Sequence, residues 1–355
     1  MIFLNIKKFK STIYRDRKIY FSFLFIFMSY SLYSLTIKNT LETPEIYIKT
    51  IYIAATITLS ISSFFYFIFL IIKKEKRPLV IFLKIAKKPF SNLEESLNLI
   101  IILTFISLVF SIYTDIKISI PNNFHFYLDP YLANLDRKIH FGIAPWQITH
   151  IIFSSPLSSA IINLLYNLWF FICWIFLIVF CCLFRNQQLR ETTLITFLLC
   201  WMINGSLFAT LLSSVGPCFY DLLYQGGDQF SDLMQVLQQQ HSILEKDGYF
   251  LGIWSLNTQH MLWESYTSQS STLGTGISAM PSMHVSIATL MALATHSLKK
   301  ELGILFWGYA IMIMIGSVHL GWHYALDGYI GALMTYGIWL SVGKFCKDRS
   351  QPSKN

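Results

Sequence analysis

The chain has 355 residues, of which 54% are hydrophobic, 16% aromatic and only 13% charged. A soluble domain carries about a quarter charged residues, so this composition excludes an ordinary water-soluble globule and points to a membrane protein. The formal net charge of +8 would suit a nucleic-acid partner on a soluble chain. Here the basic residues read as anchors at the membrane surface, and no nucleic acid is expected.

A membrane-spanning helix needs ~20 mostly apolar residues. In chain order there are eight such runs, at about 19–36, 50–72, 96–114, 158–184, 193–213, 283–298, 302–318 and 324–343. The expected fold is all-α: a polytopic helical membrane protein with about eight transmembrane helices. The first run follows a basic N-terminus and has no small-residue cleavage site after it, so it reads as an uncleaved signal anchor. The sixth and seventh runs are short. Only Ser297-Leu298-Lys299-Lys300-Glu301 separates them, a tight hairpin at the membrane surface.

Charge sets the expected orientation. With the N-terminus inside, 21 of the 27 Lys and Arg residues fall on the inner side. The other six, Lys38, Lys49, Lys117, Arg137, Lys138 and Lys246, fall outside. That split follows the positive-inside rule and places both termini in the cytoplasm. The expected location is an integral position in a bacterial inner (plasma) membrane, with the candidate site on the outer, periplasmic side.

Two outer segments are long. The first, 115–157, contains DPYLANLDRKIHFGIAPWQITHIIFSS from Asp129, with apolar residues at roughly helical spacing broken by Gly142 and Pro145. It reads as an amphipathic segment in the membrane interface, with Tyr127, Tyr131 and Trp146 at headgroup level. The second, 214–282, is polar. It carries QVLQQQHSILEK, a short helix, and SQSSTLGTG, a flexible run before Pro281. It is either a solvated loop or a lid over an outward site. The six cysteines, Cys173, Cys181, Cys182, Cys200, Cys218 and Cys346, form no CxxC or Cys/His zinc pattern. Only Cys218 faces outside on this topology, so no structural disulfide is expected.

Chemistry concentrates at the junction of the last two runs, where His319, His323 and Asp327 recur every four residues. That spacing stacks them on one helical face, and ionisable groups at such a place mark a functional site. A carboxylate bonded to one imidazole nitrogen fixes the tautomer and sharpens the other nitrogen as a nucleophile or base. The bland reading is a charge pair tying the last span to its neighbours. Pro281, Ser282 and His284 open the sixth run. Proline and serine suit a capped helix start, whose free N–H groups attract anions. On the predicted topology His284 and His323 lie at the same depth. His125, His140, His150, His241, His260 and His296 have no ligand spacing and read as structural.

Pro281-Ser282-Met283-His284 followed by His323-Tyr324-Ala325-Leu326-Asp327 resembles the second and third motifs of the type 2 phosphatidic acid phosphatase (PAP2) superfamily. In that superfamily the second motif reads PSGH and the third ends in HxxxD. The resemblance covers roughly 95–345 and implies a six-helix membrane core without metal or other cofactor. It also implies roles: His323 as the nucleophile that forms a phosphohistidine, Asp327 as its orienting carboxylate, His284 as general acid.

The chain departs from the pattern twice. Where the first motif's Lys and Arg-Pro would stand, it reads Ser214-Val215-Gly216-Pro217-Cys218-Phe219-Tyr220. Where the third motif begins Ser-Arg, it reads Gly316-Ser317-Val318-His319. The Gly216-Pro217-x-x-Tyr220 stretch and the Asp129–Pro145 segment are similar to the branch holding inositol phosphorylceramide synthases, which transfer phosphate-linked headgroups between lipids. A phosphodiester carries one negative charge and needs fewer cations than a monoester. Ser282, His319, Gly216, Pro217, Tyr220, Arg137 and Lys138 are the candidate substrate ligands, with His319 alternatively bonded to a loop carbonyl.

The expected domains are 1–94, a cytoplasmic segment with two added spans; 95–345, the catalytic membrane unit; and 346–355, a cytoplasmic tail. The expected partners are a phospholipid or other lipid phosphate and the bilayer; oligomeric state is not legible. The leading function is transfer of a headgroup from a phospholipid or polyprenyl-type donor to a lipid or sugar alcohol. Three alternatives stay open: a lipid phosphate phosphatase with the same His/His/Asp site, a zinc-dependent membrane hydrolase using His284, His319, His323 and Asp327, and a non-enzymatic lipid transporter.

Overall fold

The computed structural model describes residues 4–37, 44–86, 92–183, 185–224, 228–268 and 276–347. Most of the predicted flexible run, residues 269–275, lies outside the described residues. So do Lys38, Lys87, Lys88 and the tail from 348. Among the described residues every regular element is helical, as the composition required.

The chain begins with α1 (Ile6–Arg15), α2 (Arg17–Ile37), α3 (Pro44–Ile72) and α4 (Pro78–Ala86). The long α5 (Leu93–Asn123) follows, then two short helices, α6 (Asp129–Ile139) and α7 (Pro145–Ile152). Next come α8 (Pro156–Cys181) and α9 (Gln187–Met202), which continues through a π turn (Ile203–Phe208) to Leu211. Three helices fill the predicted polar loop: α10 (Pro217–Leu223), α11 (Ser231–Lys246) and α12 (Ser255–Thr267). The chain closes with α13 (Met283–Leu298), α14 (Lys300–His319) and α15 (Ala325–Cys346).

All eight predicted spans are helices. Six of the described helices are long and apolar enough to cross a membrane: those within α2, α3, α5, α8, α9 with its extension, and α14. The other two fall short for different reasons. α13 is apolar but has 16 residues. α15 has 22, and its Gly and Tyr residues dilute its hydropathy. α13 is largely buried in the bundle, whereas α15 packs one face against it and leaves Leu333, Tyr336, Leu340 and Phe345 exposed on the other. At Gly331 an added Cβ would lie 2.8 Å from the Ser282 carbonyl oxygen of the neighbouring helix start. The glycine therefore lets α15 lie directly against α13.

The described parts of the polar segment, 214–224, 228–268 and 276–282, are tied to the bundle. Asn163 on α8 donates to the Gly252 carbonyl at 3.1 Å and accepts from the Ser255 amide and hydroxyl at 3.0 and 2.7 Å. The Gln259 side chain donates to the Leu320 carbonyl at 2.9 Å, and Gln240 to that of Ser154 at 3.2 Å. Each bond satisfies a buried polar group that would otherwise be costly. Together they seat α11 and α12 over the end of the bundle where α13 and α15 begin.

Candidate active site at the heads of α13 and α15

After α14 the chain turns through Leu320–His323, with Gly321 at a φ of +74°. The His323 amide donates to the Ser317 carbonyl at 3.0 Å. Asp327 then stands in the first turn of α15. Its Oδ2 accepts from the Tyr324 amide at 3.0 Å, which caps the helix start, and lies 3.3 Å from His323 Nδ1. Asp327 is fully buried and His323 is 8% exposed. One carboxylate therefore caps the helix and orients the imidazole. Nε2 of His323 makes no hydrogen bond to the described residues and is left for an incoming group.

Facing it is His284, in the first turn of α13. The two ring centres are 6.3 Å apart, so residues 39 positions apart share one site. The His284 ring stacks on Tyr166 at 4.6 Å and packs against Trp169 at 4.4 Å. Trp169 also donates its indole N–H to the His284 carbonyl at 3.1 Å. These α8 aromatics hold the ring, yet its buried Nε2 has no partner. A buried ring nitrogen without a partner calls for an explanation, and a substrate oxygen would supply one. Ser282 caps α13: its Oγ accepts from the Val285 amide at 3.4 Å, and its own amide donates to the Asp327 carbonyl at 3.0 Å. Ser282 thus links the two histidine-bearing helix starts.

The device that aligns both ends is α6, whose two aspartates the sequence reading passed over. Asp136 accepts from the amides of Ala325 and Leu326 at 2.7 and 3.0 Å, two of the donors left open at the head of α15. Asp129, seven residues earlier on the same face, accepts from the amides of Val215 and Gly216 and from the hydroxyls of Tyr324 and Tyr224. Burial pushes both carboxyls above the ordinary range, and these donors offset that only in part. The legible signal was a pair of aspartates two turns apart, on the face that also buries Leu132 and Ala133.

The candidate ligands divide into two groups. Arg137 and Pro217 line a small opening together with Asp136, Trp146, Phe230 and His323, and the Arg137 guanidinium has no partner among the described residues. Lys138 is exposed and does not line that opening. Gly216 has a φ of +89°, and an added Cβ would lie 2.6 Å from the Trp322 carbonyl oxygen. Its amide is already held by Asp129. Tyr220 is buried, its ring against those of Tyr224 and Phe230 at 4.9 and 5.4 Å.

His319 points away from the pair. Its Nε2 lies 2.8 Å from Ser159 Oγ and its Nδ1 3.3 Å from Thr149 Oγ1. Its ring stacks on His150 at 3.8 Å. The partners are hydroxyls rather than the loop carbonyl considered from sequence, and neither ring nitrogen is left for a phosphate. His150 donates to the His319 carbonyl at 3.0 Å. Burial pushes the His150 imidazole down, and that bond pulls it partly back. With His319 turned aside, the four proposed zinc ligands do not converge. Among the described residues no group of three His, Cys, Asp or Glu side chains is placed to hold a metal ion.

No curated protein and no solved structure matches the chain. A family model described as the PAP2 superfamily matches residues 130–341, from α6 through most of α15.

Proposed function

The chain belongs to the PAP2 superfamily, and from that premise we propose that it is a membrane lipid phosphotransferase working through a phosphohistidine. Membership supports a phosphatase or phosphotransferase type of enzyme acting on lipid phosphates; the transfer reaction is our own reading. His323 Nε2 attacks the phosphorus of a donor phosphodiester. The N–P bond forms as the bond to the leaving oxygen breaks, and His284 gives that oxygen a proton. An acceptor alcohol then attacks the phosphohistidine and returns its proton to His284. The headgroup leaves on the new phosphodiester, and His323 is regenerated. Asp327 holds the His323 tautomer and steadies its positive charge during the attack. The observation that carries this reading is the constellation itself: a buried carboxylate 3.3 Å behind His323 and an unpartnered His284 nitrogen across from it.

The shortage of cations favours transfer of a singly charged diester. Neither the first-motif Lys and Arg nor the third-motif Arg is present. Arg137 at the opening and the free N–H groups at the head of α13 suit a single negative charge. Ser282, Gly216, Pro217 and Tyr220 shape this end of the site. Residues 95–345 are the catalytic unit under this proposal. By the charge count the site faces outward from a bacterial plasma membrane, and both termini face the cytoplasm.

The test is turnover of labelled phospholipids by purified protein in detergent with chelator present, with and without a lipid alcohol, comparing wild type with His323→Ala. A new phosphodiester that vanishes in the variant is the expected result. Release of free headgroup phosphate in place of a new diester would make the enzyme a phosphatase using the same residues. Activity that survives His323→Ala, or that requires zinc, would overturn the mechanism.

A further inference from the structure

We propose that Asn204, in the π turn of α9, is a positioning residue that sets His284 against His323 by tying together the helices whose starts carry them. The proposal rests on reading those histidines as the transfer site. The Asn204 side-chain amide donates to Ser286 Oγ on α13 at 3.1 Å and to Thr335 Oγ1 on α15 at 3.3 Å. All three residues are fully buried. Cys200, one turn earlier on α9, donates its thiol to the same Thr335 Oγ1 at 3.6 Å. Ser286 also lies at the seam between the two helices: an added Cβ at Gly331 of α15 would be 2.8 Å from its Oγ. One NH2 group therefore meets both helices where they touch.

The wide turn Ile203–Phe208 brings this part of α9 to the seam, and π turns are frequent at functional sites. Gly205, the neighbour of Asn204, lies directly against α13, where an added Cβ would be 3.0 Å from Met283 Sδ. The π turn thus grips α13 at Met283 and Ser286, on either side of His284 in the chain. At about 100° per residue, both gripped positions lie on the side of α13 turned away from the His284 ring. The grip sends that ring toward Tyr166, Trp169 and His323. The amide has a cost, since its Oδ1 is buried with no partner among the described residues, and an apolar side chain would avoid that penalty. The alignment made by its NH2 group accounts for an amide at this place. His323 is held separately, by Asp327 and the Ser317 carbonyl, so loss of the Asn204 bonds falls on the proton donor.

The test compares alkyl and nitrophenyl phosphodiesters as donors for the full chain in detergent, with the thermal midpoint of each variant measured alongside. A displacement near 1 Å costs on the order of 10²-fold in rate. Asn204→Ala and Ser286→Ala are each expected to slow the alkyl ester about 10- to 100-fold. The nitrophenyl ester leaves without a proton and is expected to slow only a few-fold. The double variant is expected to be little slower than either single one, because both remove the same bond. Thr335→Val, which keeps the side-chain shape, serves if the alanine variants do not fold, and is expected to split the two esters in the same direction. Equal losses on both esters, no loss in a folded variant, or losses that multiply in the double variant would overturn the positioning role and leave the phosphotransfer reading intact. A wild-type chain that turns over neither ester would overturn both.

Discussion

Asp327 uses one oxygen twice, for the Tyr324 amide and for the His323 ring. That economy makes it sensitive to substitution. Asp327→Asn keeps an acceptor for the cap, but removes the negative charge that steadies a positively charged imidazole. Turnover should fall on the order of 10²–10⁴-fold, while the thermal midpoint in detergent moves little. A large drop in the midpoint with turnover per folded molecule unchanged would assign Asp327 to the helix cap alone. For His284 the discriminating variable is the leaving group. His284→Ala should slow transfer from an alkyl ester by about 10²–10⁴-fold. A nitrophenyl ester leaves without a proton, so its turnover should change far less. Equal losses on both esters would remove His284 from the proton-transfer role. The pairing of His284 with His323 was legible in the sequence, because apolar runs of countable length put both at the same end. The orientation of His319 was not: its partners, Ser159 and Thr149, lie about 160 and 170 residues away.

Among the elements, α6 is the short helix on which the site's geometry depends. It holds the head of α15 through Asp136 and the Gly216 loop through Asp129. Asp136→Ala orphans two buried amides, each costing about 1–3 kcal/mol, and frees the turn that carries His323. The thermal midpoint and turnover should fall together, and Asp136→Asn, which keeps one acceptor, should lose less of both. An unchanged midpoint in the alanine variant would mean that water replaces the carboxylate. The segment is visible in the sequence as amphipathic, and its residues of a type that suits a phosphate are the cations Arg137 and Lys138. The aspartates satisfy backbone donors, and which amides are left open is a property of the folded helix heads. The same reason hid the anchoring of Gly252, Ser255 and Gln259, which lie in a polar stretch while their bonds to Asn163 and Leu320 come from the folded bundle.

At the scale of the whole molecule, the two N-terminal spans are built onto α5 by tyrosines. From α2, Tyr20 donates to Asn98 at 2.7 Å, Tyr30 donates to Asp115, and Tyr33 meets Ser119 at 2.6 Å. From α3, Tyr47 meets Thr114 at 2.5 Å and Tyr52 meets Thr104 at 2.8 Å. At the other end of the bundle Arg190 is fully buried and pairs with Asp16 at 2.5 Å, joining the α1–α2 junction to α9. Arg15 also pairs with Asp16 at 3.1 Å, and Asn98 and Gln187 donate to it. Arg190→Met therefore removes one of two guanidinium partners and should lower the thermal midpoint moderately. Arg190→Met combined with Asp16→Leu also takes the acceptor from Arg15, Asn98 and Gln187 and should lower it further, since a partner left unpaired in a buried network costs about 3–5 kcal/mol. A double variant as unstable as the single would locate the stability in the Arg190 bond to the Cys181 carbonyl instead.

The sequence by itself determined that the chain is helical and membrane-embedded, where its spans fall, and which histidines and carboxylate belong together. Those properties follow from composition, run length and helical spacing, all of which are local. Only the tertiary structure decided what each polar group faces. Whether a buried donor meets a carboxylate, a hydroxyl or nothing depends on helices brought together from far apart in the chain. That is why Asp129 and Asp136 emerged from the fold and His319 changed its place in it.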